Sequence, residues 1–347
     1  MAASAIDPVV ERLIASAPKV ELHIHLEGTL EPGMLLALAR RNSVDVPYSD
    51  VEQIRAAYRF TDLQSFLDLY YQGASVLVTE QDFYDLTAAY MERCAAEGVV
   101  HVEPFFDPQT HMARGIPYQR VVEGISRALA DAHERHGITS RLILSFLRDL
   151  PEADALATLE EARPYLELID GVGLASAELG NPPSKFARVF SVARELGLHV
   201  VAHAGEEGPP AYVAEALELL HAERIDHGLA AIEDEALTAR LVRDRIVLTV
   251  CPLSNVKLRV VDELSQHPLR RMLDAGLAVC VNSDDPAYFG GYLAENLRAT
   301  ARALELTPSE ISRLLGNAIR GSWLHAQAQA DLLLELDEAC ARASARE

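Results

Sequence analysis

Short apolar and β-branched runs alternate along the chain with longer stretches in which apolar residues return every three to four positions. The short runs are Lys19–His25, Val99–Phe105, Arg141–Phe146, Gly171–Ala175, His199–His203, Arg224–Asp226, Ile246–Val250 and Ala278–Asn282. Each predicts a strand. The helix-periodic stretches between them include Pro117–His136, Ala153–Leu168, Ser184–Leu196, Pro210–Leu220, Asp234–Arg243 and His267–Ala275. Strands mostly followed by helices predict a parallel sheet, and eight of them predict closure into a (β/α)8 barrel of the TIM type. A doubly wound open sheet is the structural rival, because it is built from the same alternation.

The first strand is followed by several helices, Glu31–Arg41, Asp62–Val78 and Glu80–Ala96. On a barrel this insertion, about 31–96, would lie over the C-terminal mouth, with Phe60, Leu63, Phe66 and Tyr70 forming an apolar lid. Further helices from Tyr292 to Ala343 would pack outside the same domain. No low-complexity linker divides the sequence, so residues 1–347 read as one domain.

Composition narrows the range of partners. With 31 Lys plus Arg against 52 Asp plus Glu, the net charge is −21. This argues against nucleic acid or an anionic membrane, both of which need clustered positive charge. No apolar run is long enough to span a bilayer, and Met1–Arg12 lacks the features of a signal peptide. Cys94, Cys251, Cys280 and Cys340 show no Cys-x-x-Cys spacing and read as reduced thiols of a soluble cytoplasmic protein. The oligomeric state, homo-oligomer included, stays open.

The chemistry gathers at strand ends. His23 and His25 close the first predicted strand, and residues at i and i+2 point to the same face, about 7 Å apart along it. Alone, a His-x-His pair is a weak signal. However, His203 and Glu206 close the fifth strand, Asp226 and His227 the sixth, and Asp284 and Asp285 follow the eighth. In a barrel, all of these ends converge on one rim. Three imidazoles and a carboxylate suit zinc with a position left for water, whose pKa the metal lowers to about 7. Hydrolysis then needs a proton donor and a group that takes the water's proton, and Glu206 and His227 are suited to these tasks.

With these motifs the chain resembles the adenosine/adenine deaminases of the amidohydrolase superfamily. The resemblance rests on His23-Ile-His25-Leu-Glu-Gly28, His203-Ala-Gly-Glu206, Asp226-His227-Gly228, Cys251-Pro-Leu-Ser-Asn255 and Asn282-Ser-Asp284-Asp285-Pro286. It implies a barrel with one Zn2+ held by His23, His25, His203 and Asp284. It also implies that Glu206 protonates purine N1, that His227 is the base orienting the nucleophile, and that Asp285 meets N7.

The stretches Gly171–Phe186, Glu207-Gly-Pro-Pro210 and Pro286–Gly291 look like the branch that acts on free adenine, which implies a role in purine salvage. Glu27 stands where nucleoside-acting relatives commonly carry Asp, and the longer carboxylate could fill the ribose space and accept from the base's own N–H. Ala175 departs from the branch, which usually carries Asp there, and this leaves room for an N6-substituted adenine as an alternative substrate. Adenosine deaminase and a catalytically dead purine-binding protein are the remaining alternatives. Glu27 and Asn181-Pro-Pro183 count against the first, and the intact Glu206, His227 and Asp285 against the second. His101-Val-Glu103 mimics the His-x-Glu of cytidine-type deaminases, but no Pro-Cys-x-x-Cys follows. The other histidines, His101, His111 and His199 among them, read mostly as surface or packing residues.

Overall fold

The computed structural model of the protein describes residues 6–345, so Met1–Ala5 of the N-terminal stretch lie outside the described residues. Among the described residues ten strand segments are present: β1 (Lys19–Glu21), β2 (Val99–Val102), β3 (Phe105–Phe106), β4 (Thr139–Ser140), β5 (Ile143–Leu147), β6 (Gly171–Ala175), β7 (His199–Ala204), β8 (Arg224–His227), β9 (Val247–Val250) and β10 (Ala278–Val281). They form two parallel ladders, β10-β9-β8-β7-β6-β5-β3 and β1-β2-β4. The chain after β1 joins the two edges, since Ile24 bridges Asp284 and His25 bridges Phe105, both in parallel. The result is a (β/α)8 barrel with its helices outside.

Three predicted strands are interrupted or shortened for local reasons. Val99–Phe105 divides into β2 and β3 at Pro104, which has no N–H to donate to a ladder. Arg141–Phe146 begins later than predicted, at Ile143, because the Asp170 carboxylate takes the Leu142 N–H at 2.9 Å. The first strand also stops early, at Glu21, where the Asn282 side chain accepts the Leu22 N–H at 2.9 Å. Pairing resumes around His23 and His25: the Asp284 N–H reaches the His23 carbonyl and the His25 N–H reaches the Asp284 carbonyl. These bonds set two histidines beside the end of β10.

The helices follow their patterns closely. Tyr118–His136 buries Val121, Val122, Ile125, Ala128, Leu129 and Ala132, a stripe at helical spacing turned to the barrel wall. Glu80–Glu97 starts at a Thr79 capping box and ends at Gly98, whose φ of 72° suits glycine. Between β1 and β2 lie helices Pro32–Asn42, Val51–Ala57, Leu63–Ala74 and Glu80–Glu97. Phe60, Leu63, Phe66, Leu67 and Tyr70 form an apolar cluster with Leu258, Tyr288 and Phe289, separate from the main core.

Besides Pro8–Ser16 and Val51–Ala57, three short helices escaped the periodicity: Pro108–Met112, Pro252–Lys257 and Pro286–Phe289. Each of the three begins with proline shortly after a strand, at a favoured first helical position. The residues before these prolines, Asp107, Cys251 and Asp285, share one backbone conformation, with φ of −109°, −121° and −124° and ψ of 71°, 79° and 73°. A following proline disfavours the α region and holds them there.

Candidate active site

The ends of β1, β7 and β10 bring His23, His25, His203 and Asp284 together, with one ligand atom of each within 4.8 Å of the others. His23 Nε2 lies 3.3 Å and His25 Nε2 3.5 Å from Asp284 Oδ1. His25 Nε2 and His203 Nε2 are 3.2 Å apart. All four residues are buried, and His23 Nε2 has no hydrogen-bond partner. Three imidazoles and one carboxylate converging with an orphaned ring nitrogen fit a divalent metal, with zinc compatible with this donor set. Burial drives His25 down to about 3, which keeps its imidazole neutral as a ligand must be. Burial disfavours the Asp284 carboxylate, but His23 and the other imidazoles outweigh it and hold the group well below the usual range.

The far nitrogens of the histidines are also held. His203 Nδ1 faces Asp226 Oδ2 at 3.4 Å, and His23 Nδ1 lies 3.0 Å from Thr249 Oγ1, which donates to Asp226 Oδ1 at 2.8 Å. One carboxylate therefore orients two of the candidate ligands. Phe105 stacks on the His25 ring with centroids 5.0 Å apart. It sits so close over Gly173 that a Cβ there would fall 2.6 Å from Phe105 Cε1.

Glu206 and His227 face the cluster from β7 and β8, with His227 Nε2 3.4 Å from Glu206 Oε2 and 3.8 Å from Asp284 Oδ2. Burial, followed by the charges of Asp284 and Glu178, pushes the Glu206 carboxyl well above the usual range. Burial and His23 push His227 well below its ordinary value. Asn255 Nδ2 lies 3.2 Å from Glu206 Oε1 and 3.3 Å from His227 Nδ1, and Asn255 Oδ1 accepts from His267 Nε2 at 3.1 Å. The loop carrying Glu206 is clamped by the Glu178 carboxylate, which accepts the N–H groups of Gly205, Glu206, Glu207 and Gly208 at 2.6–3.0 Å. Three residues of the rim, Ser176, His227 and Asp284, have positive φ without being glycine, a form of strain that gathers at functional sites.

Asp285 lines the cavity in front of the cluster, together with Asp107, Ala175 and Ser176. Leu63, Phe66, Leu67, Tyr70 and Tyr71 form its outer wall. Asp285 has an unpartnered Oδ1 and approaches Gly28 so closely that a Cβ there would lie 1.9 Å from that oxygen. Burial and Asp284 raise its carboxyl well above the usual range.

Glu27 is placed differently from the expectation that it meets the base. Its Oε1 accepts from the Asp107 N–H at 3.1 Å and from His111 Nε2 at 2.8 Å, and it is not among the cavity-lining residues. Arg114 donates to His111 Nδ1 at 2.7 Å, which leaves the His111 proton on Nε2 for Glu27. His111 and His267, read from sequence as packing or surface residues, thus belong to the site's supporting network. Burial and Glu27 push Asp107 up to about 8. His101 and Glu103 lie away from the site; Glu103 pairs with buried Arg224 at 2.6 Å.

Sequence reading missed Asp107 and Glu178 as parts of the site, and it quoted Asn255 in a motif without giving it a role. Asp107 and Asn255 carried a signal in the strand-end sequences Asp107-Pro108 and Cys251-Pro252, since the same Asx-or-Cys-Pro junction holds Asp285.

A parallel barrel with a His3Asp cluster at the strand ends defines a metal-dependent hydrolase of the amidohydrolase type. The family model for adenosine deaminase matches residues 18–339, and the chain belongs to that family. It is 58% identical to an adenine deaminase of Cupriavidus necator over 332 residues, covering 96% of this chain and 95% of that protein. The crystal structure of adenine deaminase from Arthrobacter aurescens superposes with a TM-score of 0.91 at 52% identity, covering 93% of this chain and 98% of the other. An amidohydrolase from Burkholderia ambifaria with bound Zn superposes with a TM-score of 0.90 at 28% identity, covering 99% and 97%. Among the described residues no helix is long and apolar enough to cross a membrane.

Proposed function

We propose that the protein hydrolyses adenine to hypoxanthine and ammonia, with residues 1–347 acting as one catalytic barrel domain. The observation that carries this reading is that His25, His203 and Asp284 of the four-residue cluster line one cavity with Glu206, His227 and Asp285. The 58% identity to an adenine deaminase supports the choice of substrate.

His23, His25, His203 and Asp284 would hold one zinc ion, which when bound acidifies the attacking water. Glu206, kept protonated by burial and neighbouring charge, gives its proton to purine N1. That draws electrons from C6 and opens it to attack. His227, kept neutral, orients the water and takes its proton as the C6–O bond forms. Asp285, also kept protonated, donates to N7 and fixes the ring. His227 passes the proton it took from water to the amino group, the C6–N6 bond breaks and ammonia leaves, and the remaining proton of the C6 hydroxyl returns the Glu206 carboxylate to its acid form, leaving hypoxanthine. The apolar wall formed by Leu63, Phe66 and Leu67 keeps bulk water away from this exchange.

A second reading, deamination of N6-substituted adenines, is favoured by Ala175, which presents only a methyl group to the cavity. The free thiols Cys94, Cys251, Cys280 and Cys340 support a cytoplasmic setting. Metal analysis together with ammonia release from adenine, isopentenyladenine, benzyladenine and adenosine tests the assignment. Release from adenine by a protein carrying one zinc per chain is expected. A zinc-loaded protein inactive on every 6-aminopurine base would overturn it.

A further inference from the structure

Asp107 occupies a position that normally caps a helix. It is the N-cap residue of Pro108–Met112, yet its side chain makes no capping bond, although aspartate is among the strongest N-caps. The carboxylate turns instead into the cavity, which it lines. Oδ2 accepts from Tyr70 Oη at 3.0 Å. Oδ1 is buried and without a partner. Asp285 repeats this arrangement at the eighth strand: it too precedes a proline, makes no capping bond, lines the cavity and leaves Oδ1 unpartnered.

Glu27 lies directly behind Asp107, tied to its backbone N–H and to His111. Both of these bonds go to Glu27 Oε1, and its Oε2 is buried without a partner, but Glu27 does not line the cavity, so Asp107 is the carboxylate of this pair that meets it. A buried acceptor without a donor is costly; the Ser145 hydroxyl, itself without a partner, is one neighbour that favours the ionised carboxyl, and the cavity that Asp107 lines is where a ligand would bring a second donor. A free purine has one imidazole N–H, whereas a 9-substituted purine has none at N9. A donor brought to Oδ1 also stabilises the ionised carboxyl, which desolvation and the charge of Glu27 disfavour.

We propose that Asp107 is a specificity residue that accepts the N9–H of the unsubstituted base, with Glu27 behind it as a positioning residue, and that this contact selects free bases over 9-substituted purines. The proposal rests on the reading that the substrate is a free 6-aminopurine. A polar site built for an N–H rejects analogues that lack it far more strongly than an apolar site rejects extra bulk.

The test uses the metal-loaded protein and Asp107→Ala, with Asp107→Asn as the variant closest in shape. Two quantities are read: kcat/KM for adenine, and the inhibition constant of 9-methyladenine, measurable whether or not it is turned over. In Asp107→Ala, kcat/KM for adenine is expected to fall by roughly 10–100-fold, the size of a charge-assisted hydrogen bond. Binding of 9-methyladenine should hold or tighten, and zinc content should stay at wild-type level. A merely structural role would weaken both ligands together, and that result, or unchanged adenine turnover, overturns the assignment. If Asp107→Ala does not fold, the same comparison in Asp107→Asn decides. A wild-type protein inactive on adenine overturns the parent reading instead.

Discussion

The ring of His203 faces the carboxylate of Asp226, with Nδ1 3.4 Å from Oδ2. The same carboxylate reaches His23 through Thr249, and it is ringed by positive or protonatable groups, including Arg224 Nε at 4.0 Å. A carboxylate behind a ligating imidazole fixes its tautomer and raises its basicity, and losing it typically costs metal affinity. Asp226→Asn should lower zinc affinity by roughly 10–100-fold and lose activity on dialysis, regaining much of it with added zinc. His203→Ala should lose metal and activity together, without rescue. Zinc content after dialysis against a weak chelator separates these outcomes, and an Asp226→Asn protein that holds zinc like wild type would remove Asp226 from this role.

Glu206→Gln tests proton donation. The amide keeps the size of the acid, and the Glu178 clamp acts on backbone N–H groups, so the loop should keep its shape. Metal content should stay near one per chain while kcat falls by roughly two to four orders of magnitude, as expected for lost general acid catalysis. Turnover close to wild type would reassign the donor.

The strands and the clustering of the candidate ligands were legible in the sequence because both are written in local patterns. Gly171–Ala175 is a strand over its predicted bounds, and His23, His25, His203 and Asp284 meet at one point. Glu27 shows where local reading stops. Its motif places it beside His25, but whether it faces the cavity depends on Asp107 and His111, more than 75 positions away in the chain. Glu178 was hidden for the same reason, since its four N–H partners lie 27–30 residues later. The short helices after Asp107, Cys251 and Asp285 were too brief to show a period, and only their prolines announced them.

His267 gives the acid limb of stability. Leu269 donates its N–H to Nδ1 at 3.1 Å and Nε2 donates to Asn255, so the neutral ring satisfies both contacts and a protonated one cannot. Burial drives its pKa down to about 4 from an ordinary 6.5. Between these values the unfolded chain binds the proton and the folded one does not, so stability falls as pH drops from 6.5 toward 4. The interval corresponds to on the order of 3 kcal/mol. His267→Gln should be less stable than wild type by about 1–2 kcal/mol at neutral pH, where the hydrogen bonds are lost. The gap should narrow or reverse near about pH 4.5. Urea unfolding of both proteins at the two pH values checks this, and a gap unchanged by pH would mean that His267 is not the group responsible.

Ala175 closes β6 at the cavity wall, 3% exposed, next to Ser176, whose hydroxyl lies 2.9 Å from Tyr71 Oη. Apolar pockets discriminate weakly by size, at about 1–3 kcal/mol per methylene, whereas a buried polar group without a match discriminates strongly. With a methyl group here, the wall imposes no polar demand on an alkyl substituent, so N6-alkyl adenines should be turned over comparably to adenine. Ala175→Asp places a carboxylate against the same space. It should depress kcat/KM for isopentenyladenine much more than for adenine, because the alkyl chain would have to desolvate that charge without offering it a partner. The measurement is the ratio of the two kcat/KM values in wild type and variant. A wild-type enzyme strongly selective for adenine, or a ratio unmoved by the substitution, would show that Ala175 does not face the N6 substituent, while the roles of Glu206, His227 and the ligand cluster would stand.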